Sequence, residues 1–384
     1  MGNPTGSQKG IEVVPSAIGH RHVKRMSKDN PKVGKIGLRE IASAAGVSIS
    51  TVSRVLNGNN RVDPDLRQIV LNAAAKLDID LSLRDKAKAF VFLLSNRGMY
   101  DPFHSRILLG AEASCVAHGW DILFLSYSYS PNTPWRELHL PKLVQRHDIV
   151  RGVILTGTNF ENLIELLFNK GVTSVILGNN ISGDPKSFRT DVVSSDEVQG
   201  SSDVIRYLIG LGHRHICYIG NNRLPWFARC YAGYCRAMEE AGLEPRQSSI
   251  DSEDFTEIGY LGTKSLLASG EPVTAIFAGN DPTAHGVYKG LRDCGLSIPD
   301  DVSVVGCNDT VGGMLYPALT TIREFPEQLG KQMVELLLRR ISEPLLPPQS
   351  VTIPTEFIKR DSCKSILTHP VRLALENAQG ALTG

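Results

Sequence analysis

Residues 36–57 read IGLREIASAAGVSISTVSRVLN, and their spacing predicts two short helices joined by a tight turn. Ile41, Ala42 and Ala45 share one helical face, and Gly46 supplies a position that can take positive φ and turn the chain sharply. Ser48 opens the second helix, where its hydroxyl can accept a bond from the free N–H of Thr51 and Val52, Val55 and Leu56 form an apolar stripe. The opposite face carries Ile49, Ser50, Ser53, Arg54 and Asn57, side chains able to meet base edges or phosphates in a major groove. Any small helical hairpin shows such apolar spacing, so the flanking residues decide. Asn57-Gly58 ends the second helix, and Asp63-Pro64 provides an N-cap and a first-turn proline for a third, whose expected apolar face is Leu66, Ile69, Val70, Ala73 and Leu77. Three helices in about fifty residues make a minimal head that is only marginally stable alone.

Charge bounds the partner. Residues 1–88 carry 15 Lys+Arg against 8 Asp+Glu, a balance of +7, while the remainder is −6, so the net +1 of the chain hides a basic head on an acidic body. That asymmetry suits a polyanion bound at one end, because phosphate neutralisation supplies affinity and steers encounter. Arg39, Arg54, Arg61 and Arg67 sit within the helical head, and contact by some of them is favoured over a merely solvated basic surface.

From Phe90 onward, short apolar runs alternate with amphipathic stretches. FVFLL (90–94), GVILTG (152–157), SVILG (174–178), ICYIG (216–220), AIFAG (275–279) and VSVVG (302–306) read as buried strands, and 161–170, 197–210, 282–295 and 326–341 as helices between them. Strand and helix repeated this way predict parallel sheets covered on both faces, in two units. Ligands collect at the carboxyl ends of such strands, and those ends here carry Asn179-Asn180, Asn221-Asn222, Asn280-Asp281 and Asn308-Asp309. Each is also an ordinary turn residue. In LPWFAR (224–229), Trp226 could lie against a sugar ring with Arg229 on its hydroxyls, or pack in a core; the sequence weighs these evenly.

Several motifs in order resemble the lactose/galactose repressor family: AGVSISTVSRVLNG in the head, and YDPFHSRILLGAE, LGHRHICYIGN, YAGYCRAMEEAGL, AGNDPTAHGVYKGLRDCGLSIPDDVSVVGCND and PALTTI in the body, spanning about Ile36 to Ser362. The resemblance implies an α/β protein with a three-helix helix-turn-helix head and a two-lobed periplasmic-binding-protein-like body of parallel sheets flanked by helices. It further implies a homodimer that reads a near-palindromic operator on double-stranded DNA and is controlled by a sugar or purine in the cleft. By similarity, Ser48, Ile49, Ser50, Thr51, Ser53, Arg54 and Asn57 occupy the recognition helix; Phe103, Asp196, Arg229, Asn280, Asp281, Asn308 and Asp309 occupy effector positions. Asp196 also reads as a helix cap.

Three departures stand out. The usual N-x-x-A-R-x-L hinge helix is replaced by LSLRDKAKA (81–89), leaving Leu81 or Leu83 as candidates for the family's minor-groove leucine wedge. Cys230 stands three residues before Gly233, where the family places its effector arginine, with Arg229 one place earlier. Asn308-Asp309 replaces the common Asp-Asp, removing one ionised acceptor.

The expected division is a disordered basic tail (1–33), a helix-turn-helix domain (34–80), the short hinge (81–89), an effector-binding and dimerisation domain (90–365) and a C-terminal tail (366–384). Seven scattered cysteines without C-x-x-C pairing predict reduced thiols, no metal and no cofactor. No G-x-S-x-G elbow, metal pair or phosphate loop accompanies the many Ser, His and Asp residues, so no catalytic residue is expected. His213 and His215 lie in a turn and read as packing groups. Without an apolar run of membrane length or an apolar signal core, the expected location is the cytoplasm. A free sugar-binding protein of the periplasmic type would share the body but not the head.

Overall fold

The computed structural model describes residues 36–56, 62–77, 88–98, 101–182 and 189–367. The chain forms two compact units that divide between Asp85 and Lys86. Asn57, Arg61, Leu81 and Leu83, and most of the expected hinge and both tails, lie outside the described residues.

The first unit holds α1 (Ile36–Ala45), α2 (Ile49–Leu56) and α3 (Pro64–Lys76). Gly46 has φ +65°, and Val47 N–H returns to Ala42 O at 3.0 Å, closing α1 with a left-handed cap that a β-carbon would strain. Ser48 Oγ accepts from Thr51 N at 3.1 Å, as the spacing predicts. Asp63 accepts from the backbone of Asp65 and Leu66 and caps α3, with Pro64 in its first turn. Ile41, Ala42, Val52, Val55, Val70, Ala73 and Ala74 make the core. The third helix departs from its predicted face, because Ile69 and Leu77 are 47% and 41% exposed and Ala74 is buried instead. On α3 the core of the head takes in Val70 and the small Ala73-Ala74 pair.

In the second unit the described elements run β1 (Ala89–Ser95), α4 (Pro102–Ala117), β2 (Asp121–Tyr127), β3 (Val150–Gly157), α5 (Glu161–Asn169), β4 (Ser174–Leu177), β5 (Asp191–Ser195), α6 (Glu197–Gly210), β6 (Ile216–Gly220), α7 (Pro225–Glu240), β7 (Arg246–Ser249), α8 (Phe255–Ala268), β8 (Ala275–Ala278), α9 (Asp281–Arg292), β9 (Ser303–Asn308), β10 (Thr320–Arg323), α10 (Pro326–Ser342), β11 (Ser350–Ile353) and β12 (Glu356–Ile358). Two six-stranded sheets result, ordered β11-β5-β4-β3-β1-β2 and β12-β10-β9-β8-β6-β7. All pairings are parallel except β10 with β12. Central strands such as β1, β6 and β8 are buried at every residue, the pattern of a sheet covered by helices on both faces.

The chain passes between the two sheets three times. It crosses from β5 into α6, from β10 into α10, and from β11 into β12, for α6 packs with α7, β10 and β12 whereas α10 packs with α4, β3, β4 and β5. The crossings lie side by side. Asp196 N–H donates to Ile353 O at 3.0 Å, and Thr355 Oγ1 donates to Asp196 O at 3.4 Å. Strands β5, β7, β10, β11 and β12 lack the apolar runs that mark the others in the sequence; most are short and at or near a sheet edge.

Candidate recognition helix and interlobe cleft

Helix α2 puts Ser48, Ile49, Ser50 and Arg54 on its exposed side, with Thr51 and Ser53 half-buried, while Val52 and Val55 face the core. Ser48 Oγ also lies 2.7 Å from Ser50 Oγ and 2.8 Å from Thr51 Oγ1, so one hydroxyl organises the first turn. Ile49 is 45% exposed, an apolar group that folding leaves in water and that could meet a thymine methyl. Arg67 is half-buried on α3.

In the second unit, a cavity of about 60 Å³ opens between the two lobes. Arg97, Phe103, His104 and Asn180 enter it from the first lobe, Trp226, Phe255, Asn280 and Asn308 from the second, and Glu197 and Glu324 from the crossings. Its two ends differ in chemistry. At one, the Arg97 guanidinium lies 4.3 Å from the Trp226 ring centroid and 5.0 Å from that of Phe255, while its Nε donates to Thr158 Oγ1 at 3.0 Å. Burial lowers the Arg97 pKa, partly opposed by Asp101 and Glu253. Asp101 in turn caps α4 and sits 3.2 Å from His104, whose Nε2 is 2.9 Å from Asn180 Nδ2.

At the other end lie Glu197 and Glu324, 3% and 4% exposed. Burial pushes the Glu324 carboxyl up to about 7, against the hydrogen bonds it receives from Ser195 and Cys307. Burial, then the charge of Glu324, pushes Glu197 well above the ordinary carboxylate range. The Cys230 and Cys307 sulfurs complete this region, 3.7 Å apart. All seven cysteines are free.

The expected effector residues divide. Phe103, Trp226, Asn280 and Asn308 line the cavity, Asn280 also capping α9 through Thr283 N–H and Asn308 accepting from Thr310 Oγ1. Asp196 caps α6. Arg229 turns its guanidinium to Gly178 O, 2.9 Å away on the first lobe, and lines a separate hollow with Asn222 and Pro225. Asp281 is buried beneath the 309–312 turn, accepting from Thr321 Oγ1 at 2.7 Å and from the Gly312 and Val311 N–H groups. Asp309 pairs with Arg323 and Arg360 at 2.9 and 2.8 Å. His213 packs as expected, bonded to Thr274 and Lys364 O, with its pKa lowered to about 4 by burial.

Sequence reading missed Arg97, His104, Glu197, Phe255 and Glu324. Arg97 follows a predicted strand end directly, a signal that could have found it. Glu197 and Glu324 gave none, because what makes them special is three-dimensional, two acids on separate crossings sharing one dry pocket.

Comparison with known proteins agrees with this division. Residues 37–79 match the family of bacterial regulatory proteins, lacI family, and residues 205–363 match the periplasmic binding protein-like domain. The HTH-type transcriptional repressor PurR of Edwardsiella ictaluri (strain 93-146) is 28% identical over 342 residues, covering 85% of this chain and 96% of its own. Catabolite control protein A of Priestia megaterium is 28% identical over 338 residues, 86% of this chain and 99% of that one. The solved complex of the transcriptional regulator CelR with cellobiose aligns at a TM-score of 0.62 and 26% identity, over 85% of this chain and 99% of that one. Among the described residues no helix is long and apolar enough to cross a membrane. With a capped second helix on a three-helix head and a cleft between two parallel-sheet lobes, the chain joins a lacI-family helix-turn-helix domain to a periplasmic binding protein-like domain, the organisation of a transcriptional regulator with a DNA-binding and an effector-binding domain.

Proposed function

We propose that this regulator works in the cytoplasm as a homodimeric repressor, each head reading half of a near-palindromic operator, and that a sugar in the interlobe cleft sets its affinity for DNA. Ser48, Ile49, Ser50, Thr51, Ser53 and Arg54, with Asn57, Arg61 and Arg67, would contact the duplex. Phe103, Trp226, Asn280 and Asn308 would contact the effector; Asp196, Arg229, Asp281 and Asp309 would hold the walls. One observation carries the effector reading. The cavity has walls from both lobes and a floor from two of the three crossings, so a ligand filling it acts on the segments about which the lobes move. The relative solved with cellobiose supports a sugar as the class.

Thermal unfolding of the full chain with sugars and nucleobases tests this. A true effector at a hundredfold excess over its Kd stabilises the fold by about 2.7 kcal/mol. Silence across the panel contradicts the reading.

A further inference from the structure

We propose that the effector carries a basic nitrogen, held by Glu197 and Glu324, and an acceptor oxygen at its far end, held by Arg97: the chemistry of a protonated amino sugar. The inference rests on the cleft being the effector site.

Glu197 lines the cavity almost wholly buried, and its Oε2 has no hydrogen-bond partner. A buried carboxyl oxygen left unsatisfied is costly, and a second acid beside it adds like-charge repulsion. The groups facing Glu197 do not relieve this. Glu324 is acidic and takes its bonds from Ser195 and Cys307; the Cys230 thiol turns to Cys307; Cys307 and Tyr218 have their pKa raised by their surroundings; and the Asn179 amide, which lowers the Glu197 pKa, is also bonded to Ser195 O and Oγ. Arg229 is near enough to lower the Glu197 pKa, but its Nη2 donates to Gly178 O. A neutral hydroxyl would satisfy the oxygen but not offset the repulsion that keeps the two acids from ionising together. An ammonium group does both, with three donors and a positive charge. At the opposite end Arg97 Nη2 is likewise buried without a partner, its guanidinium held between Trp226 and Phe255. An acceptor oxygen of the ligand would complete it.

The test uses the full-length protein with D-glucosamine and D-galactosamine against D-glucose and D-galactose, by thermal shift and by calorimetry in two buffers of different ionisation heat. The amines should bind about tenfold tighter than their parents, the difference between a charge-assisted and a neutral hydrogen bond. Protons should be released on binding, since acids held protonated in the empty cleft must ionise to meet an ammonium. Glu197→Gln and Glu324→Gln should each remove the preference, and Glu197→Gln should do so without lowering the melting temperature of the empty protein. Equal or tighter binding of the parent sugars, absence of proton release, or failure of both amines to bind overturns the inference. If the parent sugars bind at least as tightly as the amines and Trp226→Ala weakens them, the cleft stands as effector site and only the amine falls. Silence from every sugar, amine and nucleobase overturns both.

Discussion

The Ser195 hydroxyl donates to Glu324 Oε2, so the start of the first crossing between the lobes is bonded to the middle of the second. This places a hydrogen bond across the hinge and beside the cavity floor, where ligand and lobe movement must meet. Ser195→Ala leaves Glu324 one bond short in a buried site. The expected loss of stability is about 1–3 kcal/mol, read by urea unfolding of the full chain, with the ligand response altered in the same variant. An unchanged midpoint and response would place the hinge elsewhere.

Acidity acts on the same group. Glu324 and Asp281 both have carboxyl pKa values raised by burial, each to about 7. A group that binds its proton more tightly when folded contributes stability that is fully present below its unfolded pKa and is lost as pH rises through the folded one. Stability should therefore decline between about pH 4 and pH 7 from these two acids. His213 works the other way: its folded pKa of about 4 costs stability as pH falls below its ordinary value. Glu324→Gln should flatten the decline toward pH 7 in a series of thermal melts, and an equally steep slope in that variant would contradict the assignment.

The head depends on its caps. Asp63→Ala removes the side chain that holds the first turn of α3, at an expected cost of about 1 kcal/mol. In so small a unit this should appear as weaker DNA binding at raised temperature, with normal affinity restored on cooling. Arg54→Ala should instead weaken binding at all temperatures and, if its contact is to phosphate, reduce the slope of log affinity against log salt by about one.

Trp226 reports on the cleft. Its ring is stacked by Arg97, and an effector that recruits the guanidinium must alter that contact. Ligand addition should change tryptophan fluorescence, and Trp226→Phe should abolish most of the change while Trp120 and Trp135 remain. A full signal in Trp226→Phe would locate the event outside the cleft.

Much of this was legible in the residues because local rules were followed. Gly46, Ser48 and Asp63-Pro64 are capping and turn signals that need only neighbours in sequence, and each appears in the structure in its expected place. The buried parallel strands announced themselves as apolar runs. Strands β5, β7, β10, β11 and β12 did not, since short strands and sheet edges need no continuous apolar run. The cleft was read in outline from its strand ends, yet Asn280 and Asn308 enter the cavity while their neighbours Asp281 and Asp309 serve the turn beneath it. Adjacent side chains at a strand end point to opposite sides, and sequence does not say which side is wet. The acid pair was invisible for a related reason: Glu197 and Glu324 are 127 residues apart and meet only because the chain crosses the hinge more than once.

The central claim is that occupancy of the cleft sets the grip of the head on DNA. The direct measurement takes a palindromic duplex selected by the full-length protein from random sequence, and follows its anisotropy with and without the ligand that most raises the melting temperature. A change in operator affinity of about five- to 150-fold, the usual range of allosteric coupling, is the predicted result, together with an equal shift in ligand affinity when operator is bound. Identical operator affinity in the empty and the saturated protein would contradict the account.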